Sequence, residues 1–360
     1  MSLPVPHVPT DLGAALTNLT DVLRGQSIAD LRATPRTLIK TSKLGDLFRY
    51  DPKPGTEQHG NPILFIPPLA APALAFDLRR GNSVVEYFVE QGRPVYLVDY
   101  GPVDFTHRAL GIEHWVDEVI PWATQRVSED AATEIQSSPD VHLAGWSLGG
   151  IFTMFTTAAH PELPIASATA VASPFDLHAV PILAMARPFH NAGLRIIGPA
   201  VRLAGGVPAT LTRLGFQLSA IDKYLTKPIA MVTHADDRDF LAQLEAVDRF
   251  MSNMYAYPGR TFGQLYHVVM KTNEFASGLL TLGENTIDLS TITVPVLAVA
   301  GLNDTLAPLA ATSHLLDLVP SSFDAQLVEA PGGHLGVLTG RAAKRTSWPA
   351  MQNFYRDHDK

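Results

Sequence analysis

The sequence contains no cysteine among its 360 residues, and this absence excludes several kinds of chemistry. Without cysteine there can be no disulfide, no thiolate nucleophile and no cysteine-ligated metal site. No uninterrupted apolar run reaches the roughly 18 residues of a membrane-spanning helix. The first residues, MSLPVPHVPT, lack the basic and apolar regions of a secretory signal. We therefore expect a cytoplasmic protein.

Charged residues are scarce, at 17% of the chain, and the formal net charge is -8. Nucleic acid is not an expected partner, because phosphate binding needs clustered Lys and Arg. No set of His and carboxylate residues has metal-ligand spacing, so neither a metal nor an organic cofactor is expected. Hydrophobic residues make up 46% of the chain. Length and composition together predict one large buried core with an insertion.

Short apolar runs predict buried strands of a mostly parallel sheet with helices on both faces, since most runs are continuous rather than alternating. Helical patterns at 83–91 and 112–128 fall between them, which is typical of an α/β fold. We divide the chain into an N-terminal helical arm at 1–50, an α/β core at 51–177 and 289–360, and an inserted, mainly helical cap at 178–288. The predicted strands are 63–66, 95–98, 141–144, 167–172, 296–300 and 326–329.

The arm contains one amphipathic helical pattern at residues 11–25, and we expect its apolar face to pack onto the core. That face consists of Leu12, Ala15, Leu16, Leu19, Val22 and Leu23.

The strongest local motif is Gly145-Trp146-Ser147-Leu148-Gly149, a G-x-S-x-G pentapeptide between a predicted strand and a predicted helix. A serine on such a tight turn projects its hydroxyl into a cleft, and the flanking glycines let neighbouring backbone approach. The motif predicts Ser147 as a nucleophile. The Leu148 N–H at the start of the helix is then a candidate donor to an anionic intermediate.

A serine nucleophile needs a histidine base and a carboxylate that orients the histidine. His334 lies in a glycine-rich loop after the last predicted strand, where the chain order Ser, acid, His requires the base. Asp304 follows the strand at 296–300 and is the predicted acid, with Asp176, after the strand at 167–172, as the alternative. The second oxyanion donor is predicted to be the Leu69 N–H, in the loop that follows residues 63–66.

Two apolar segments of the cap are candidates for the lining of an acyl tunnel, although packing of the cap onto the core explains them as well. They are Leu194, Ile196, Ile197, Val201 and Leu203 in one segment, and Phe250, Met251, Met254 and Tyr255 in the other.

Longer stretches resemble the catalytic domain of poly(3-hydroxyalkanoate) synthases and their lipase-like relatives, from about residue 60 to residue 340. The matching runs are ILFIPP at 63–68, FDLRRGNSVVEYFVEQGRPVYLVDY at 76–100, GWSLGG at 145–150, and TIDLSTITVPVLAVAGLNDTLAPLA followed by GGHLG. The resemblance implies the α/β-hydrolase fold and acyl transfer. Those synthases have cysteine where this chain has Ser147, and their acid and base match Asp304 and His334.

The residues and the resemblance together predict an esterase, lipase or acyltransferase that forms an acyl-Ser147 intermediate. Its expected substrate is a hydrophobic acyl ester or an acyl-coenzyme A thioester. One alternative is a synthase that polymerises 3-hydroxyacyl-coenzyme A, and another is a catalytically silent protein that binds lipid or coats granules. Peripheral contact with a lipid or granule surface, homodimer formation, the acyl chain length and the acceptor are left open.

Overall fold

The computed structural model describes residues 9–43, 45–135, 139–181, 183, 206–219 and 221–359. Its centre is an eight-stranded sheet with the order β1-β2-β4-β3-β5-β6-β11-β12. From β4 to β12 neighbouring strands are parallel, whereas β1, β2 and β4 pair antiparallel. These strands are β1 (Arg36–Ser42), β2 (Gly45–Tyr50), β3 (Ile63–Ile66), β4 (Val95–Asp99), β5 (Val141–Trp146), β6 (Ile165–Val171), β11 (Val296–Gly301) and β12 (Ala325–Ala330).

Helices cover the sheet and connect its strands. Those before the end of β6 are α1 (Leu12–Leu23), α2 (Val84–Glu90), α3 (Ile120–Ile135) and α4 (Leu148–Ala159). Those that follow are α5 (Ala209–Ser219), α6 (Ile221–Thr233), α7 (Arg238–Ser252), α8 (Gly259–His267), α9 (Leu309–Ser313), α10 (Leu315–Leu318), α11 (Gly336–Thr339) and α12 (Ser347–Asp357).

The central strands are buried on both faces, which explains their continuous apolar sequences. All residues of β3, β5, β6 and β11 are buried. One face packs against α3 and α4, and the other against α2 and α12. These helices on both faces of a mostly parallel sheet confirm the α/β fold class that the apolar runs predict. A parallel sheet is stable only when both of its faces are covered.

The N-terminal arm differs from the prediction, because it is helical only in its first part. Residues of β1 and β2 form an antiparallel hairpin that extends the main sheet through β4. The hairpin was missed because its residues are half-exposed and include several polar side chains. A strand at the edge of a sheet needs less apolar sequence than a central one.

The segment between β6 and β11 is mainly helical where the structure describes it. It includes α5 to α8 and two small antiparallel pairs, β7 (Gly206–Val207) with β8 (Tyr257–Pro258) and β9 (Leu279–Leu282) with β10 (Asn285–Asp288). The predicted tunnel residues Leu194, Ile196, Ile197, Val201 and Leu203 lie outside the described residues. Within the described ranges, no helix is both long and apolar enough to cross a bilayer.

Candidate active site

Ser147 lies on a strained turn between β5 and α4. Its backbone has φ 56 and ψ -124, a conformation that is costly for any residue other than glycine. Two hydrogen bonds hold it: the Ser147 N–H donates to Val171 O at 2.8 Å, and the Ser173 hydroxyl donates to Ser147 O at 2.7 Å. The surrounding sheet therefore maintains the strain that presents the Ser147 hydroxyl.

The helix behind Ser147 packs closely against the end of β3, and Gly149 makes this possible. A Cβ at Gly149 would lie 2.4 Å from Ile66 O and 2.8 Å from Pro67 O. Contacts this short do not occur in folded proteins, so a side chain here would push α4 away from β3. The glycine thus keeps the N-terminus of α4 beside the loop that follows β3.

The structure brings Ser147, Asp304 and His334 together, although they are far apart in the sequence. His334 Nε2 lies 2.8 Å from Ser147 Oγ, and His334 Nδ1 lies 2.9 Å from Asp304 Oδ2. Each residue follows the carboxyl end of a parallel strand, namely β5, β11 or β12. The three side chains form one chain of hydrogen bonds in which a proton can pass from the hydroxyl to the imidazole.

The Asp304 carboxylate is fully buried and is held by several donors. Its Oδ1 accepts hydrogen bonds from the backbone N–H groups of Leu306 at 2.8 Å and Ala307 at 2.9 Å, while its Oδ2 faces His334. Burial alone would raise the pKa of Asp304, but the hydrogen bonds from His334 and the two amides outweigh burial and lower it. The carboxylate is therefore charged at neutral pH.

The loop that carries His334 is fixed against the loop that carries Asp304. The Asn303 N–H donates to Gly332 O at 2.9 Å. A Cβ at Gly301 would lie 2.8 Å from the same Gly332 oxygen, so only glycine permits this approach. A third contact comes from Trp146, whose indole N–H donates to His334 O at 3.0 Å.

The two predicted oxyanion donors lie on adjacent backbone segments. Leu69 is in the buried loop after β3, where Ala70 has a φ of 64, and Leu148 is the first residue of α4. The first N–H groups of a helix have no partner within the helix, so that of Leu148 is available to a ligand. The Tyr255 N–H donates to Ala70 O at 2.8 Å and so ties the loop to the segment that follows α7.

Part of the predicted tunnel lining packs with the residue before the nucleophile. Phe250 and Met254 are buried in the same cluster as Trp146, and the Phe250 and Trp146 rings lie 6.1 Å apart. A small recess beside the oxyanion loop is lined by Leu69, Tyr255 and the end of β4 at Asp99. The packing around Trp146 therefore includes apolar side chains from α7 and from the segment that follows it.

Asp176, the alternative acid, has other partners. Its Oδ1 accepts from the His178 N–H at 2.8 Å and from Asn273 Nδ2 at 3.0 Å, so it caps the turn that follows β6. The carboxylate that accepts a hydrogen bond from His334 is that of Asp304 instead. In the ranges that the structure describes, no group of three or more His, Asp or Glu side chains is arranged to hold a metal ion.

Sequence reasoning did not identify the contact from Trp146 to His334, nor that from Tyr255 to Ala70. An aromatic residue immediately before the nucleophile was a signal for the first. The second is a backbone contact between distant segments, and no local pattern indicates it.

Comparisons with known proteins identify similar chains over nearly the whole length. The chain is 24% identical over 354 residues to the poly(3-hydroxyalkanoate) polymerase subunit PhaC of Haloferax mediterranei, covering 94% of this chain and 67% of that one. It is 28% identical over 343 residues to PhaC of Allochromatium vinosum, covering 94% and 92%. No protein-family model matches the chain.

Two solved structures from Mycobacterium tuberculosis show the same fold. Rv0554 has a TM-score of 0.54 at 16% identity, covering 88% of this chain and 95% of its own. BpoC, described as a non-heme bromoperoxidase, has a TM-score of 0.52 at 15% identity, covering 84% and 95%. The sheet order, the mostly parallel strands and these likenesses agree, so the predicted α/β-hydrolase fold is confirmed. The chain is therefore similar along most of its length to poly(3-hydroxyalkanoate) polymerase subunits, and it has the α/β-hydrolase fold.

Proposed function

We propose that the protein transfers acyl groups through a covalent acyl-Ser147 intermediate, with His334 as the base and Asp304 as the residue that orients it. The observation that carries this proposal is the unbroken set of hydrogen bonds from Ser147 Oγ through His334 to Asp304. A serine hydroxyl is a weak nucleophile unless a base removes its proton, and this geometry provides the base.

The first step is attack of Ser147 Oγ on the carbonyl carbon of the substrate as the hydroxyl proton moves to His334 Nε2. The charge that develops on the carbonyl oxygen is stabilised by the N–H groups of Leu148 and Leu69. The Asp304 carboxylate accepts a hydrogen bond from the Nδ1–H of His334 and stabilises the imidazolium. Collapse of the intermediate then passes the proton from His334 to the leaving group, which departs and leaves an ester on Ser147.

The second step is attack on this ester by water or an alcohol, whose proton moves to His334. The bond between the acyl carbon and Ser147 Oγ then breaks, and His334 returns the proton to Ser147 Oγ. If the attacking group is water, the protein is a hydrolase, and if it is a bound alcohol, the protein is an acyltransferase. We favour hydrolysis, because serine elbows most often serve it. Trp146, the residue before Ser147, belongs to one apolar cluster with Phe250 and Met254, and this supports a hydrophobic acyl group as substrate.

A fluorophosphonate probe tests the nucleophile. We expect it to label the wild type once per chain and to leave Ser147→Ala unlabelled. Ser147→Ala and His334→Ala should each lower kcat on an acyl ester by roughly three to six orders of magnitude. His178→Ala, which changes an exposed histidine near Asp176, should retain activity. Turnover by Ser147→Ala close to that of the wild type would contradict the proposal.

Polymer synthesis is a second candidate function, favoured by the similarity to PhaC along 94% of the chain. Attack of a thiolate on a thioester produces another thioester of similar energy, whereas attack of Ser147 converts a thioester into a more stable oxyester. Incubation with a 3-hydroxyacyl-coenzyme A separates the candidates. Polymer with stoichiometric free coenzyme A would support synthesis, and free hydroxy acid would support hydrolysis.

Absence of labelling by the fluorophosphonate probe, together with retained affinity for lipid, would instead support a catalytically silent binding protein.

A further inference from the structure

We propose that Trp146, the residue before the nucleophile, is a positioning residue that holds His334 in line with Ser147. This inference rests on the proposed acyl-serine function and extends it to a residue outside the three hydrogen-bonded side chains. It explains why a large aromatic side chain lies between the strand and the elbow.

Two contacts from one side chain carry the inference. The Trp146 indole N–H donates to the backbone oxygen of His334 at 3.0 Å, and its ring centroid lies 5.4 Å from that of the His334 imidazole. Only 2% of Trp146 is exposed, so water does not compete strongly for the indole N–H. The hydrogen bond fixes the backbone of His334, and the ring contact restricts rotation of the imidazole.

The backbone of Trp146 is itself rigid. Trp146 is the last residue of β5, a strand buried along its whole length and paired in parallel with β3 and β6. The adjacent Ser147 is part of the same turn. The indole therefore links the base to the element that carries the nucleophile, so the two reacting groups move together.

The ring contact also matters when His334 carries the proton. The face of an indole attracts a cation, so the Trp146 ring favours the imidazolium that forms during each step. Phe250 also packs near the indole, with its ring centroid 6.1 Å from that of Trp146. The His334 side chain is 13% exposed, so the imidazole is largely shielded from water while its Nε2 lies 2.8 Å from Ser147 Oγ.

The test compares two tryptophans that each donate to a backbone oxygen. Trp146→Phe removes the bond to His334 and keeps an aromatic ring. Trp348→Phe removes a similar bond of 2.8 Å, which goes to Leu338 O in α11 and not to His334. Both variants should lower the melting temperature similarly. With a p-nitrophenyl acyl ester, Trp146→Phe should lower kcat about tenfold with an unchanged KM, and Trp348→Phe should leave both unchanged.

A third variant provides a rescue that does not depend on Trp146→Phe folding well. In Trp146→His, the imidazole Nε2 occupies the place of the indole nitrogen, so an N–H donor remains. Its kcat should stay within about threefold of the wild type. A second readout is the proton shared by His334 Nδ1 and Asp304, whose NMR signal should change in Trp146→Phe and persist in Trp348→Phe.

Several outcomes would overturn the inference. A wild-type kcat in Trp146→Phe would do so. A decrease in kcat that is equal in Trp146→Phe and Trp348→Phe would also do so, as would a kcat of Trp146→His as low as that of Trp146→Phe. Failure of the underlying function looks different, because Ser147→Ala would then remain active. An inactive Ser147→Ala beside a fully active Trp146→Phe would reject only the role of Trp146.

Discussion

At the residue scale, the proposed mechanism depends on the charge of Asp304 and on the proton that this charge holds at His334 Nδ1. The carboxylate is surrounded by donors, two from the backbone and one from the imidazole. A buried carboxylate with three donors stays ionised, and its negative charge determines which ring nitrogen of His334 carries the proton. Ser147 Oγ can therefore face an unprotonated Nε2.

Asp304→Asn tests this dependence with little change in shape. The amide that replaces the carboxylate can present an N–H toward His334 Nδ1, which favours the wrong tautomer, and it carries no charge. We expect kcat to fall about 10⁴-fold with a small change in stability. The measurement is steady-state turnover of an acyl ester together with the unfolding midpoint.

Asp176→Asn is the matched control, because it changes the alternative acid in the same way. It should retain activity, since Asp176 caps a turn and bonds to Asn273. A large activity loss in Asp176→Asn, with Asp304→Asn active, would exchange the assigned roles of the two carboxylates.

At the scale of the elements, close packing of α4 against β3 places a helix N-terminus beside the oxyanion loop. Each element forms for local reasons, but the distance between α4 and β3 depends on Gly149.

The N-terminal helix shows a different effect of packing. Leu12, Leu16 and Leu23 of α1 are 72%, 69% and 87% exposed, so half of the predicted inward face points outward. Ala15 of that face is buried, and Leu19 and Val22 are half-buried. Polar contacts orient the helix, including one from Asn18 Nδ2 to Ala235 O at 2.8 Å.

The same substitution at two glycines should have opposite effects. Gly149→Ala forces a Cβ against Ile66 O and should destabilise the protein by about 1–3 kcal/mol, with loss of activity as α4 moves from the oxyanion loop. Gly263→Ala in α8 meets nothing within 4 Å and should stabilise by up to about 1 kcal/mol, because alanine is the better helix former. Urea unfolding measures both, and an equally stable Gly149→Ala would contradict the packing explanation.

At the scale of the whole molecule, Asp359 is anchored near the amino end of β5, whereas Ser147 follows the carboxyl end of that strand. The fully buried Arg93 guanidinium pairs with Asp359 at 2.7 Å, and His142 Nε2 lies 3.2 Å from the same carboxylate. Burial, the largest cause, lowers the pKa of His142 to about 4. Burial alone would raise the pKa of Asp359, but hydrogen bonds from His142, Arg93 and the Asn61 N–H lower it.

This cluster predicts loss of stability in mild acid. An unfolded histidine binds a proton below about pH 6.5, whereas folded His142 does so only below about pH 4. Between these values the unfolded chain binds more protons, so stability falls as the pH falls. From pH 7.5 to pH 5 we expect a loss of about 2 kcal/mol from this group. The lowered pKa of Asp359 also makes stability fall as the pH falls. This contribution is lost only below the ordinary pKa of an aspartate, which lies outside this window.

Urea unfolding at the two pH values measures the effect. His142→Gln should lose about 2 kcal/mol of the difference between them. Trp348→Phe is also destabilised but changes no titrating group, so it should keep the wild-type difference. An unchanged pH dependence in His142→Gln would show that other groups cause the acid sensitivity.

The sequence by itself determined the α/β class, the six parallel strands and the residues proposed for the site. Apolar periodicity, the glycine-flanked serine and the order of the strand-end loops are local properties, and each limits the structures that a short segment can adopt. The resemblance to the synthases added the fold family, which the structural likenesses confirm.

Only the tertiary structure decided the rest. It added the hairpin of β1 and β2 to the sheet, turned Leu12, Leu16 and Leu23 of α1 outward, and placed the Trp146 indole on the His334 carbonyl. Each of these depends on contacts between segments that are distant in the chain. A local pattern does not encode such contacts, because the partner that satisfies a polar group or covers an apolar face is known only after the whole chain has folded.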